Sequence, residues 1–222
     1  MSVDLSRDAY FARWSALHGG IDPRANRLVA FWLGIVHALA RPLATAGVSP
    51  DAVTLLGGVL SVGVVAAAWA GGGWLLLAAV LVFASGIVDN LDGAIAVMTG
   101  RSTDWGYVLD SLVDRVADVL YLVALFVVGA PGWLCVTAGV LTFLQEYARA
   151  RAGATGMSEA GVVSVWERPT RVLVTGMFLL AAVIHQPSAV TLVTLAAAAS
   201  AGLAIVGLTQ VVVSIRRRLG DG

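Results

Sequence analysis

Lysine is missing from the 222 residues, and all 14 basic residues are Arg. Cysteine occurs once, as Cys135 in an apolar segment. That excludes a disulfide framework or a thiolate metal site and leaves a small buried hydrophobe. Charge of either sign is scarce, at 13% against 59% hydrophobic residues. A soluble domain of this size would need far more polar surface to cover its core. The opening segment MSVDLSRDAYFARW is charged and amphipathic, so no cleavable signal peptide is expected. Internal repeats and low-complexity tails are also lacking.

What the chain has in quantity is apolar runs near the roughly 20 residues that a helix needs to cross a bilayer. An all-α, polytopic membrane protein is expected. Six transmembrane helices are read at about 52–70, 74–97, 107–129, 133–151, 168–185 and 189–215. The connections GGG (71–73), APG (130–132) and HQPS (185–188) carry no basic residue. Arg7, Arg13, Arg24, Arg27 and Arg41 precede the first span, Arg101, Arg149, Arg151, Arg168 and Arg171 fall in or beside the two longer connections, and Arg216 to Arg218 end the chain. By the positive-inside rule both termini and both long connections are cytoplasmic, in a bacterial-type inner membrane. Trp69, Trp74 and Trp133 flank the outer connections, and Trp105 and Trp166 the inner ones, as interfacial belts do. The segment 26–44 is broken by His37 and Arg41 and reads as an amphipathic helix lying along the cytoplasmic interface. A short seventh crossing there would spoil the Arg asymmetry. The resulting division is a cytoplasmic N-terminal segment (1–47), a catalytic transmembrane domain (48–216) and a cytoplasmic tail (217–222).

Against this apolar background the stretch 88–118 holds six Asp in 31 positions. Asp89 and Asp92 are three apart near the end of the second span, followed by Gly93 and Ala96. Gly106, Asp110, Asp114 and Asp118 recur every fourth residue, one stripe down the third span. Two antiparallel neighbours can therefore bring four carboxylates to one point. Ionised carboxylates in the bilayer cost at least about 2.5 kcal/mol each, and like charges raise that further. Arg115 sits about 100° around the helix from Asp114 and cannot neutralise the cluster. Two divalent cations would, and oxygen-only ligands favour Mg²⁺ or Mn²⁺ over zinc. Such a site clamps a phosphate diester and activates a hydroxyl for in-line attack. Asp118, one turn deeper, is open between a ligand and a packing residue.

The pattern Asp-x2-Asp-Gly-x2-Ala-Arg-x8-Gly-x3-Asp-x3-Asp is the signature of the CDP-alcohol phosphotransferases. Asp89, Asp92, Gly93, Ala96, Gly106, Asp110 and Asp114 match it in identity and spacing. The chain also resembles that family in VSPDAVTLLG (48–57), EYARARA (146–152) and ERPTR (167–171). Within the family it resembles bacterial phosphatidylinositol-phosphate and phosphatidylglycerophosphate synthases. The resemblance implies that Asp89, Asp92 and Asp110 are metal ligands, and that Asp114 both contacts metal and is the catalytic base for the acceptor hydroxyl. It implies a nucleotide site at Asp51, Thr54, Gly93, Ala96 and Gly106, where Gly93 and Ala96 let the nucleotide lie against the helix. It implies an acceptor or phosphate site at Arg101, Glu146, Arg149, Arg151, Arg168 and Arg171. The implied reaction moves a phosphatidyl group from CDP-diacylglycerol, or another CDP-alcohol, to a small polar acceptor such as a phosphorylated polyol, releasing CMP. Two ions, Mg²⁺ or Mn²⁺, would serve it. Membrane lipids and a second copy of the chain, as a homodimer, are the expected partners, and nucleic acid is not.

Two departures from the pattern stand out. Val97 occupies the place where the family usually has Arg. In synthases that use phosphorylated acceptors, the position of Glu146 is usually a small hydroxyl residue and that of Arg149 is Lys. Val97 keeps two alternatives open: a different CDP donor making a specialised phosphodiester, or a catalytically impaired homologue. An ion-coupled transporter is disfavoured, because such folds show inverted repeats and interrupted helices near the midplane.

Overall fold

The computed structural model describes residues 4–17, 20–157 and 163–220. Residues 1–3, 18–19, 158–162 and 221–222, which include the outer ends of the expected N-terminal segment and tail, lie outside it. Every regular element among the described residues is helical. In chain order these are α1 (Arg7–Leu17), a 3₁₀ turn (Pro23–Ala25), α2 (Arg27–Thr45), α3 (Pro50–Ala70), α4 (Trp74–Thr99), α5 (Asp104–Val128), α6 (Gly132–Ala154), α7 (Arg168–Ile184), a second 3₁₀ turn (Gln186–Ser188) and α8 (Ala189–Gly220).

Local chemistry sets the boundaries. Asn26 opens α2 by accepting from the Leu28 backbone N–H at 2.9 Å and that of Val29 at 3.4 Å, which satisfies two donors the helix cannot. Thr103 does the same for α5, its hydroxyl accepting from Gly106 N–H at 2.9 Å. At the end of α4, Gly100 turns left-handed with φ +68°, and Arg101 N–H closes back onto the Ala96 carbonyl at 3.0 Å. A Cβ at position 100 would oppose that conformation.

The chain packs as two compact units. The first comprises Met1–Val59 and Ala84–Asp114. Its core joins Tyr10 and Phe11 of α1 with Leu33, Val36 and Ala40 of α2 and Leu91, Ala94, Ile95 and Met98 of α4. Polar ties reinforce it: Arg13 donates to the Met98 carbonyl, and His37 pairs with the Leu5 carbonyl at 3.0 Å while stacking on Tyr10. Gly57 and Gly58 let α3 approach Val88 and Val113, which lie 3.6 and 3.4 Å from where their Cβ atoms would stand.

The second unit comprises Leu60–Phe83 and Arg115–Gly222. Small residues line its helix contacts, among them Ala78, Ala117, Ala124, Ala138, Ala196 and Ala197, all at most 1% exposed. Gly176 leaves no room for a side chain, since a Cβ there would lie 2.6 Å from the Phe83 ring. Such contacts let helices associate where lipid offers no hydrophobic drive.

Among the described residues four helical stretches are long and apolar enough to cross a membrane: Arg27–Thr45, Pro50–Ala70, Trp74–Thr99 and Gln186–Leu219. The remaining expected spans form helices but fall short on composition or length. Helix α5 carries Asp110, Asp114, Arg115 and Asp118, α6 carries Glu146, Arg149 and Arg151, and α7 has 17 residues. Helix α2, expected to lie in the interface, qualifies as a crossing by the same measure. It buries Leu33, Val36, His37 and Ala40, and leaves Leu28, Phe31, Ile35 and Leu39 exposed on another face. Trp69, Trp74, Trp105 and Trp133 are exposed as belt residues should be, but Trp166 is buried, its indole N–H donating to Thr142 Oγ1 at 2.8 Å. A partner inside the protein takes that ring out of any interfacial role.

Candidate functional site

The end of α4 and the start of α5 gather the acids of the first unit. One carboxylate oxygen each from Asp89, Asp110 and Asp114 lie within 4.8 Å of one another, and the three side chains are half-buried. Asp92, expected beside them, is not part of that triplet. It is 5% exposed, and its carboxylate accepts from Thr54 Oγ1 and from Gly93 N–H, both at 2.6 Å. Thr54, assigned to the nucleotide, thus also holds Asp92 in place, the hydroxyl of α3 fixing a carboxylate of α4.

Beside the acids opens a cavity of about 230 Å³. Asp92 and Asp110 face it, as do Asp51, Thr54, Gly93, Ala96 and Gly106, the complete set of residues assigned to the nucleotide. Arg101 and Val97 line it too. Residues that sequence reasoning did not assign complete the wall: Pro50, Ser102, Thr103 and Tyr107. Their only signal was position, because 102 and 103 follow the Gly stop that turns α4 into α5. At Gly93 a Cβ would meet nothing within 4 Å, so its missing side chain opens space in the cavity. The Cβ of a residue at 106 would instead press on Thr103 Oγ1 at 3.1 Å. The donor set fits a hard divalent cation: oxygen ligands only, converging from two helices, part-buried beside a cleft.

The second unit holds an ionic network of its own residues. Asp118, 6% exposed, accepts from Arg171 Nη1 at 2.8 Å and lies 3.3 Å from Arg115 and 3.9 Å from Arg168. Glu146 accepts from Arg171 Nη2 at 2.5 Å, with Arg115 at 3.3 Å and Arg149 at 3.5 Å. Glu167 takes both terminal nitrogens of Arg149 and accepts from the Ser164 N–H at 2.6 Å and hydroxyl at 2.8 Å. Burial alone would raise the Glu167 carboxyl, but these donors together hold it below the usual range. Asp118 is therefore an anchor for arginines. Arg149, Arg168, Arg171 and Glu146 of the assigned acceptor set meet here, whereas Arg151 is exposed and Arg101 belongs to the cavity of the first unit.

Comparison with known proteins agrees with this geometry. Residues 47–213 match the family model for CDP-alcohol phosphatidyltransferases. The chain is 35% identical to the phosphatidylinositol phosphate synthase of Mycobacteroides abscessus over 63% of this chain and 66% of that protein. It thus spans just under two thirds of that relative's length. It is 31% identical to the enzyme of the same name from Streptomyces avermitilis over 86% of this chain and 82% of that one. Among solved structures it is similar to Mycobacterium tuberculosis phosphatidylinositol phosphate synthase with CDP-DAG bound, at TM-score 0.68 and 26% identity, covering 82% of this chain and 94% of that one. The same mycobacterial protein in complex with manganese and citrate matches at TM-score 0.66 and 26% identity, covering 80% and 87%. With a family match over most of its length, acids at the signature positions and several apolar helices, the chain is a multi-pass membrane protein that belongs to the CDP-alcohol phosphatidyltransferase family.

Proposed function

We propose that the chain transfers a phosphatidyl group from CDP-diacylglycerol to the hydroxyl of a small polar alcohol, releasing CMP, in phospholipid synthesis. The observation that carries this reading is the Asp89, Asp110 and Asp114 triplet beside a cavity lined by every residue assigned to the nucleotide. The mycobacterial neighbour with CDP-DAG bound supports the donor, and the one with manganese supports a divalent ion. Asp89, Asp92, Asp110 and Asp114 would hold two ions, Mg²⁺ or Mn²⁺. When bound, these supply charge neutralisation and polarise the pyrophosphate oxygens.

The chain's own residues then do the following. Thr54 fixes Asp92, while Gly93 and Ala96 keep the α4 surface low enough for the cytidine to lie against it. Arg101, on the cavity wall with Val97, supplies to the donor phosphates the cation that position 97 lacks. Asp114 accepts the proton of the acceptor hydroxyl as its oxygen bonds to the lipid-bearing phosphorus. The phosphorus–oxygen bond to CMP breaks, and CMP leaves with the electron pair. Residues 48–216 form the catalytic part, with six spans, α2 along the interface, both termini on the cytoplasmic side and a homodimer as the assembly. A phosphorylated polyol is the acceptor class that the relatives' names support.

Purified protein with Mg²⁺ or Mn²⁺ is expected to release CMP from CDP-diacylglycerol when one member of an acceptor panel is added, with a phosphatidyl product identified by mass spectrometry. Release from a different CDP-alcohol, and none from CDP-diacylglycerol, would favour a specialised phosphodiester, the reading Val97 motivates. Metal-dependent CDP binding without CMP release across donors and acceptors would favour an impaired homologue.

A further inference from the structure

The arginines of the second unit are engaged by carboxylates of the same unit. Arg171, 3% exposed, spends both terminal nitrogens on Asp118, Glu146 and the Trp166 carbonyl. Arg149 spends both on Glu167, with Glu146 and Ser164 alongside. Arg115 faces Asp118 and Glu146. Among the described residues four guanidinium groups, counting Arg168, thus meet three carboxylates. Glu146 is the common partner of Arg115, Arg149 and Arg171. The cavity that Arg171 and Asp118 line measures about 10 Å³, room for about one water and not for a phosphate.

We propose that Glu146 is a selectivity residue: by occupying three arginines of this cluster it disfavours acceptors that carry a phosphomonoester, so that among small polar alcohols this chain departs from the acceptor class the relatives' names support. The inference rests on the reading that these arginines serve the acceptor. A dianionic phosphate entering the cluster must displace the Glu146 carboxylate from three arginines and remain beside its charge, whereas an alcohol without phosphate makes no such demand. Neutralising Glu146 removes one negative charge from the cluster and weakens the hold on the donor that Arg171 directs at it.

The test uses the full chain in detergent, as wild type, Glu146→Gln and Glu146→Ser, with inorganic phosphate as the probe. Phosphate is expected to raise the melting temperature of a variant at concentrations at least about tenfold lower than it does the wild type. In CMP-release assays, the ratio of kcat/KM for a polyol phosphate to that for the same polyol is expected to rise at least about tenfold in the variants, with KM for the CDP donor unchanged. Equal phosphate response and an equal ratio in all three proteins would overturn the proposal, as would a wild type that binds phosphate more tightly than either variant. Because phosphate binding is read without turnover, a chain inactive with every acceptor would fail the proposed function and still show whether Glu146 holds phosphate off the cluster.

Discussion

At Gly93 and Gly176 the same substitution is expected to do opposite things, because one absent methyl group faces a cavity and the other faces a ring. Gly93→Ala places its Cβ in open space beside the acids. Its melting temperature should stay within a degree or two of wild type, while KM for the CDP donor rises about tenfold or more. Gly176→Ala drives a Cβ to 2.6 Å from Phe83 and should cost about 1–3 kcal/mol of stability, as overpacked cores do. Arg101→Ala should raise donor KM by about tenfold or more, the worth of a charge-assisted hydrogen bond, without lowering the melting temperature, since the side chain is exposed. Binding and thermal-unfolding measurements on the three variants separate these effects. The acids themselves were legible in the sequence, because four-residue spacing on a helix puts side chains on one face. Their partners were not. Thr54 reaches Asp92 across 38 residues and Arg171 reaches Asp118 across 53, and no periodicity encodes which hydroxyl or guanidinium a carboxylate will meet.

The helices show why element positions were readable. The expected spans 74–97 and 168–185 compare with helices Trp74–Thr99 and Arg168–Ile184, because apolar runs ending at Gly or Pro leave little freedom in where a helix stops. Caps account for the remaining offsets. Thr103 starts α5 at Asp104, three residues before the apolar run read from 107. Trp166 misled for a different reason: an aromatic residue beside a charged connection suits a membrane belt, yet a buried hydroxyl on α6 claimed its N–H. At the start of α7, Glu167 links that helix to α6 through Arg149. Its depressed carboxyl contributes stability that is fully present above the unfolded value, about pH 4.3, and is lost as pH falls through the lower folded value. Between pH 5 and 3 the melting temperature of the wild type should therefore fall more steeply than that of Glu167→Gln. Parallel slopes would remove Glu167 from the acid-sensitive groups.

For the chain as a whole, topology and chemistry are the two proposals to test. Helix α2 is long and apolar enough to cross, while the arginine distribution argues for a place along the cytoplasmic surface. Single cysteines at Asp22 and Ala46, in a Cys135→Ala background, decide between these. Both should label from the cytoplasmic side only, and Gly72→Cys from the opposite side. Labelling of positions 22 and 46 from opposite sides would make α2 a seventh crossing. The chemistry rests on the acids, and Asp114 is its most exposed point. The decisive measurement is CMP release from CDP-diacylglycerol by wild type and Asp114→Asn, with Mn²⁺ and a responsive acceptor, alongside donor binding. Loss of about 10²–10⁴ in rate, the usual contribution of a general base, with donor binding retained, is the predicted result. An Asp114→Asn protein that releases CMP at the wild-type rate would contradict it.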